Sequence, residues 1–121
     1  MEALAAVGRI VFAVYFLYNG AGHFVNFQGL RAYAEAKGVP VPGGAVAVTG
    51  LILLAGGLSF LLEYQMQAGA AVLALFLVPS AVLMHNFWAE QDGGSRANEL
   101  AHFLKNIALA AAVLQMPFIG G

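Results

Sequence analysis

Three histidines and one lysine are the residues of this chain best suited to chemistry inside an apolar protein. His23, His85 and His102 each lie near the end of a long apolar segment, and Lys105 follows His102 by three residues. Imidazole binds metals and exchanges protons near neutral pH, and an ammonium group stabilises developing negative charge. One hypothesis is a polar pocket of a kind that holds a quinone headgroup, a metal, or a haem between two histidines. The alternative is that each polar side chain makes a structural hydrogen bond between helices.

If successive helices cross the membrane in opposite directions, several polar or aromatic residues come to the same side of it. These residues form the predicted ligand-binding set. It comprises Asn19, His23, His85, Trp88, His102, Lys105 and Asn106. For a quinone, His85 or His102 would hydrogen-bond a ring carbonyl, and Trp88 and Phe103 would bracket the ring. A haem is the less favoured cofactor. No catalytic residue is assigned, and no metal site is predicted, because the spacing matches no zinc motif and no carboxylate is expected beside the histidines within the spans.

A charged residue in the first apolar segment needs a separate explanation. Arg9 lies about two turns into that segment, on the membrane side opposite the histidines. Glu63 ends the second apolar segment on the same side, so the sequence predicts a structural ion pair between Arg9 and Glu63.

The elements that position these residues are apolar stretches long enough to cross a bilayer. Ile10–Leu30, Gly38–Leu62 and Tyr64–Ala89 contain no Asp, Glu, Lys or Arg, and roughly 20 apolar residues span the hydrocarbon. The sequence therefore predicts an all-α integral membrane protein, a single four-helix domain over residues 1–121 with up-down topology. The predicted helices are Ala3–Asn26, Gly44–Leu62, Gln65–Trp88 and Ala97–Pro117.

The three connections between these helices differ in length and in predicted structure. Phe27–Lys37 is predicted to form a short amphipathic helix at the membrane interface, either a lid over the site or a simple connector. The second connection, centred on Glu63, is so short that the helices on either side must be adjacent and antiparallel. Glu90–Ser95 is predicted to be a flexible loop, with Ser95 as N-cap of the last helix.

Composition excludes several classes of protein. Of 121 residues 61% are hydrophobic and 9% are charged, so neither a soluble nor a disordered chain is expected. The net charge of -1 provides no basic patch for nucleic acid. There is no cysteine, so any sulfur or thiol chemistry would depend on a partner. Positive charges concentrate on the histidine side, at Arg31, Lys37 and Arg96, which favours both termini outside the cytoplasm.

Several short motifs together resemble the DoxX family of small bacterial membrane proteins. They are Arg9 with Asn19-Gly20-Ala21-Gly22-His23-Phe24, Gly38-Val39-Pro40-Val41-Pro42, Gly56-Gly57, and His102-Phe103-Leu104-Lys105-Asn106-Ile107-Ala108-Leu109. The resemblance covers essentially the whole chain. It implies a four-helix protein of the bacterial inner membrane that belongs to a quinone-linked redox complex with redox protein partners. The resemblance singles out Arg9, His23, Lys105 and Asn106 for testing. Many relatives have Glu where this chain has Leu53, which argues against proton coupling through the second helix.

Three functions are compatible with this sequence. The favoured hypothesis is a small accessory subunit of a membrane redox assembly, in contact with the bilayer and with larger partners. The alternatives are a structural or assembly subunit without a ligand site and, less favoured, a transport or lipid-handling protein, which four spans would support best as a homo-oligomer.

Overall fold

The computed structural model describes residues 2–118, which form five α-helices and two short 3-10 turns. The helices are α1 (Glu2–Val25), α2 (Phe27–Ala36), α3 (Pro42–Leu62), α4 (Met66–Met84) and α5 (Gly93–Gln115), with no strand among the described residues. The segments of α1, α3, α4 and α5 are long and apolar enough to cross a membrane. In hydrocarbon a helix satisfies its own backbone polar groups, which explains why these apolar runs are helical. The predicted all-α architecture with four spans is confirmed.

The turn between α3 and α4 is tight. Only residues 63–65 separate the two helices, and both Glu63 and Gln65 adopt left-handed backbone conformations. The Ser59 hydroxyl lies 2.6 Å from the Tyr64 carbonyl oxygen, which satisfies a carbonyl that the turn leaves without a helical partner. α3 packs directly on α4, as the short connection predicted.

Two predicted helix boundaries on the histidine side are wrong. α4 ends at Met84 rather than Trp88, so His85 follows the helix as its C-cap and Phe87–Ala89 forms a separate 3-10 turn. α5 begins at Gly93 rather than Ala97, because the N-cap is Asp92 and not Ser95. The Asp92 carboxylate accepts a hydrogen bond from the Ser95 backbone N–H at 2.9 Å, the geometry of an N-terminal cap.

The core joins all four long helices. α1 packs chiefly on α3, α4 packs chiefly on α5, and the contact of α3 with α4 connects the two pairs. The largest fully buried side chains come from each of these helices: Phe16, Leu53, Phe60, Leu73 and Val113. The helices therefore form one bundle with a shared apolar interior.

The segment predicted as an interfacial helix is helical over Phe27–Ala36 and packs on α3. Its Ala34 is buried, whereas Arg31 and Glu35 are exposed. The position of α2 at the membrane interface stays a prediction, but its contact with α3 places it beside one end of the bundle.

Gly56 permits the close approach of α3 to α4. A Cβ atom at this position would collide with the Leu73 side chain, whereas a Cβ atom at Gly8 would meet nothing within 4 Å. Gly56→Val is expected to lower the free energy of unfolding by about 1–3 kcal/mol, since overpacking forces neighbouring side chains to move. Denaturation in mixed micelles measures this, with Gly8→Val as the matched control. Equal stability of the two variants would contradict close packing at Gly56.

Candidate functional site

A cavity of about 540 Å³ lies between the helices at the histidine end of the bundle. Phe16, Leu53 and Leu77 line it and also belong to the buried core, so they close the cavity on the core side. Six of the seven residues of the predicted ligand-binding set line this cavity: Asn19, His23, His85, His102, Lys105 and Asn106. Side chains from three separate spans therefore converge on one space, with apolar walls and polar groups together.

Two of the histidines stack on each other. The rings of His85 and His102 have centroids 5.0 Å apart and an interplanar angle of 23°. His85 is placed there by the end of α4, and His102 by the third turn of α5. The His85 Nδ1 lies 3.3 Å from Glu99 Oε1. Because an ionised carboxylate accepts hydrogen bonds and cannot donate them, Nδ1 is the donor.

Glu99 is the centre of a buried polar network. Its side chain is only 8% exposed, and its Oε2 lies 2.6 Å from Lys37 Nζ and 2.9 Å from the Tyr33 hydroxyl. Lys37 Nζ also contacts Asn86 Oδ1 at 2.9 Å and Glu90 Oε1 at 3.3 Å. The network therefore connects α2 and the residue that follows it to α5 and to the segment after α4.

This network changes the acidity of the groups contributed by α2 and its end. Burial raises the pKa of the Tyr33 hydroxyl, and the hydrogen bond to the Glu99 carboxylate raises it further. For Lys37, burial opposes the charged form, but the hydrogen bonds to Glu99 and Glu90 outweigh it and the pKa rises above its ordinary value. Both groups therefore hold their protons, and both donate to Glu99.

The expectation that no carboxylate lies beside the histidines is wrong. Glu99 lies in the second turn of α5 and contacts His85 directly, because α4 packs on α5 and ends with His85 beside this face. The sequence contained a usable signal: Glu99, His102 and Asn106 are spaced i, i+3, i+7, which places them on one face of a helix. No local pattern indicated that Lys37 and Tyr33, more than 60 residues away, would bind this face.

His23 is held by a different element. Its Nδ1 lies 3.1 Å from the Val46 carbonyl oxygen and 3.2 Å from Thr49 Oγ1, whose hydroxyl is 2.7 Å from the Ala45 carbonyl oxygen. Since a carbonyl only accepts, His23 donates through Nδ1 to α3. Asn19, one turn before His23, uses its Nδ2 for the Tyr15 carbonyl of its own helix at 2.8 Å.

Lys105 and Asn106 differ in burial. Lys105 is exposed and forms no ion pair among residues 2–118. Asn106 is 5% exposed, and its one side-chain contact within the described range is a long one, 3.5 Å from Nδ2 to Ser80 Oγ. Lys105 thus has no counter-charge within residues 2–118, and the buried amide of Asn106 has one weak partner there. Both side chains can therefore form hydrogen bonds with a molecule in the cavity.

The structure does not bring Trp88 to the cavity. Trp88 is 52% exposed, and its ring packs edge-on against Phe87 and Phe103, with centroids 5.3 and 5.8 Å away. Neither Trp88 nor Phe103 lines the cavity. The separate 3-10 turn after His85 rotates Trp88 away from the direction that a continuous α4 would give it.

Histidines are also common metal ligands. Among residues 2–118 no group of three or more His, Asp or Glu side chains is arranged to hold a metal ion.

At the other end of the bundle, Arg9 contacts the end of α3. Its Nη2 lies 3.2 Å from Glu63 Oε1, and its Nη1 donates to the Phe60 and Leu61 carbonyl oxygens at 2.7 and 2.8 Å. The Arg9 side chain is 17% exposed and that of Glu63 is 63% exposed. The guanidinium therefore both pairs with Glu63 and satisfies carbonyls at a helix C-terminus, where positive charge is favoured.

We expect the two partners to contribute unequally to stability. Glu63→Gln removes an exposed charge and should lower the free energy of unfolding by less than about 1 kcal/mol. Arg9→Met leaves two helix-end carbonyls unpaired and should cost about 1–3 kcal/mol. Mixed-micelle denaturation of both variants checks the order; a larger loss for Glu63→Gln would show that the ion pair outweighs the backbone contacts.

Four apolar spans around a polar cavity define a small multi-pass membrane protein. The sequence model of the DoxX family matches residues 4–86, which is more than half of the chain, and the protein belongs to the DoxX family. It is 30% identical over 114 residues to the inner membrane protein YqjF of Escherichia coli strain K12, a match that covers 94% of this chain and 82% of that relative. No solved structure matches the chain. The chain is a multi-pass protein of the bacterial inner membrane.

Proposed function

We propose that this protein binds the headgroup of a quinone in the cavity lined by the histidines and acts as a small membrane subunit of a quinone-linked redox assembly. The observation that supports this is the convergence of His23, His85, His102 and Lys105 on one largely apolar cavity of about 540 Å³. That volume is typical of small-molecule sites, which combine apolar walls with a few polar groups. A quinone needs both features, because its ring and tail are apolar and its two oxygens form hydrogen bonds.

Lys105 and Asn106 are the groups best placed to recognise a quinone oxygen. Both line the cavity, and neither is fully used by the protein. The Lys105 ammonium would stabilise negative charge on a ring oxygen as the headgroup is reduced. Phe16 and Phe76, which line the cavity, replace Trp88 and Phe103 as the aromatic walls.

The arrangement of His85 and His102 favours a quinone over a haem. Two axial imidazoles point their nitrogens at one iron from opposite faces of the macrocycle. Here the two rings stack face to face with their centroids 5.0 Å apart, which leaves no room for a macrocycle between them. The Nδ1 of His85 is also bound to Glu99.

A redox role requires electrons from another protein. The chain has no cysteine, so it has no thiolate or dithiol of its own to exchange electrons with the quinone. We propose a membrane or soluble redox partner as the electron carrier, with this protein supplying the quinone site.

The proposal is tested on protein purified in mild detergent and transferred to nanodiscs. Quinone is expected to copurify in the lipid extract, and added short-chain ubiquinone should raise the melting temperature. Lys105→Met should weaken ubiquinone binding about tenfold, equivalent to about 1.4 kcal/mol. Arg96→Met removes a cation from the same helix outside the cavity and should bind normally.

The same preparation separates the proposal from its alternative. Mass spectrometry of native extracts should detect a redox protein in stoichiometric amount. If no quinone copurifies and ubiquinone neither binds nor protects, the quinone site is excluded, and a structural subunit without a ligand becomes the better explanation.

A further inference from the structure

Two histidines of the cavity use the same ring nitrogen to bind the protein. His85 Nδ1 lies 3.3 Å from Glu99 Oε1, and His23 Nδ1 lies 3.1 Å from the Val46 carbonyl oxygen. A carbonyl oxygen and an ionised carboxylate are acceptors without a hydrogen to give. The Thr49 hydroxyl, which lies 3.2 Å from His23 Nδ1, donates its own hydrogen to the Ala45 carbonyl oxygen at 2.7 Å, so the geometry assigns the proton of each neutral imidazole to Nδ1.

The assignment for His85 depends on the charge of Glu99. The Glu99 side chain is 8% exposed, and its other oxygen receives hydrogen bonds from the Lys37 ammonium and the Tyr33 hydroxyl. Donors of this kind bind an ionised carboxylate more strongly than a neutral acid. Glu99 is thus held as an acceptor, and it fixes the tautomer of His85.

In this tautomer the Nε2 atom of each ring is an unprotonated acceptor. Within residues 2–118, the Nε2 of neither His23 nor His85 has a hydrogen-bond partner, and both side chains line the cavity. The cavity therefore offers two acceptor nitrogens to a ligand. His102 has no such anchor and can present either a donor or an acceptor.

We infer that the cavity is selective for a headgroup with O–H donors, so that it binds the reduced quinol in preference to the oxidised quinone. The inference rests on the proposed quinone-site function and specifies the redox form of its ligand. A quinol can donate its O–H groups to the imidazole nitrogens, and its oxygen lone pairs can still accept from Lys105. A quinone has no O–H group and would leave the acceptor nitrogens unpaired.

The size of the preference follows from the cost of unpaired polar groups. A site built to bind a ligand O–H strongly rejects an analogue that lacks it, because the buried partner of the missing hydroxyl is then left without a hydrogen bond. Since the site also contains donors that suit a quinone, we expect a modest preference for quinol, of at least about tenfold in affinity.

The test compares both redox forms of one probe on the same protein. Short-chain ubiquinone and its chemically reduced quinol are titrated under anaerobic conditions into nanodiscs at pH 8, where an ordinary imidazole is neutral. The measured quantity is the ratio of the dissociation constant of the quinone to that of the quinol. A general packing defect would weaken both forms together and would leave this ratio unchanged.

Glu99→Gln is expected to lower the ratio by removing the His85 acceptor, while the His23 acceptor remains. The amide N–H₂ can donate to His85 Nδ1, which moves the imidazole proton to Nε2 and removes the acceptor. Glu63→Gln makes the same substitution at the opposite end of the bundle and should retain the wild-type ratio. If Glu99→Gln does not fold, His85→Phe keeps an aromatic ring against His102 and should also lower the ratio.

The outcomes separate the two proposals. A wild-type ratio of ten or more that falls in Glu99→Gln or His85→Phe supports the inference. Equal binding of both forms, or tighter binding of the quinone, overturns the selectivity while the quinone site itself stands. If neither form binds, the proposed function fails and the selectivity fails with it.

Discussion

Glu99→Leu is expected to lower the free energy of unfolding by about 3–5 kcal/mol, the loss typical of removing one partner from a buried ion pair. The substitution leaves the largely buried Lys37 ammonium with the partly exposed Glu90 as its one counter-ion within residues 2–118. It also takes away the acceptor of His85 Nδ1 and the nearer acceptor of the Tyr33 hydroxyl, which retains the Met84 carbonyl oxygen at 3.2 Å. Denaturation in mixed micelles, followed by helical circular dichroism, measures the effect.

A double-mutant cycle distinguishes a specific pair from a general packing defect. Lys37→Met alone should be similarly destabilising, whereas Lys37→Met combined with Glu99→Leu should be more stable than the sum of the two losses predicts. A coupling energy of about 1 kcal/mol or more is expected. Strictly additive losses would show that Lys37 and Glu99 do not stabilise each other, and that α2 is held in place by its packing on α3.

Asn106→Leu is expected to separate ligand binding from stability. Asn106 is almost completely buried, yet its contact with Ser80 is 3.5 Å long and weak. Leucine of similar volume should therefore leave the melting temperature unchanged or raise it, while the affinity for the quinone or quinol probe falls at least about tenfold.

The matched control for this substitution is Gln67→Leu, which replaces an exposed amide on α4 outside the cavity. It should alter neither stability nor binding. A large loss of stability in Asn106→Leu with unchanged affinity would assign Asn106 to helix packing and remove it from the ligand site.

Membrane topology could be predicted from the sequence because its physical cause is local. Each uncharged run of apolar residues must become a helix in hydrocarbon, and the three-residue turn at Glu63 forces α3 and α4 together. The same alternation placed His23, His85 and His102 at one end of the bundle, and the structure finds all three lining one cavity.

The helix ends were harder to predict, and errors there changed the site. Moving the end of α4 from Trp88 to Met84 placed His85 at the C-cap and turned Trp88 out of the cavity. The start of α5 at Gly93 rather than Ala97 adds one turn before the face that carries Glu99. Ends depend on capping contacts such as the one between Asp92 and Ser95, which a hydropathy pattern does not include.

Sequence by itself determined that this protein is a four-span membrane helix bundle with its imidazoles at one end. The reason is that the hydrophobicity of each span and the turns between spans are local properties of the sequence. Only the tertiary structure decided that Glu99 holds His85, and that Tyr33 and Lys37 hold Glu99. Those contacts join residues 14 to 66 positions apart, and they form because a buried carboxylate must collect its donors from whichever elements pack around it.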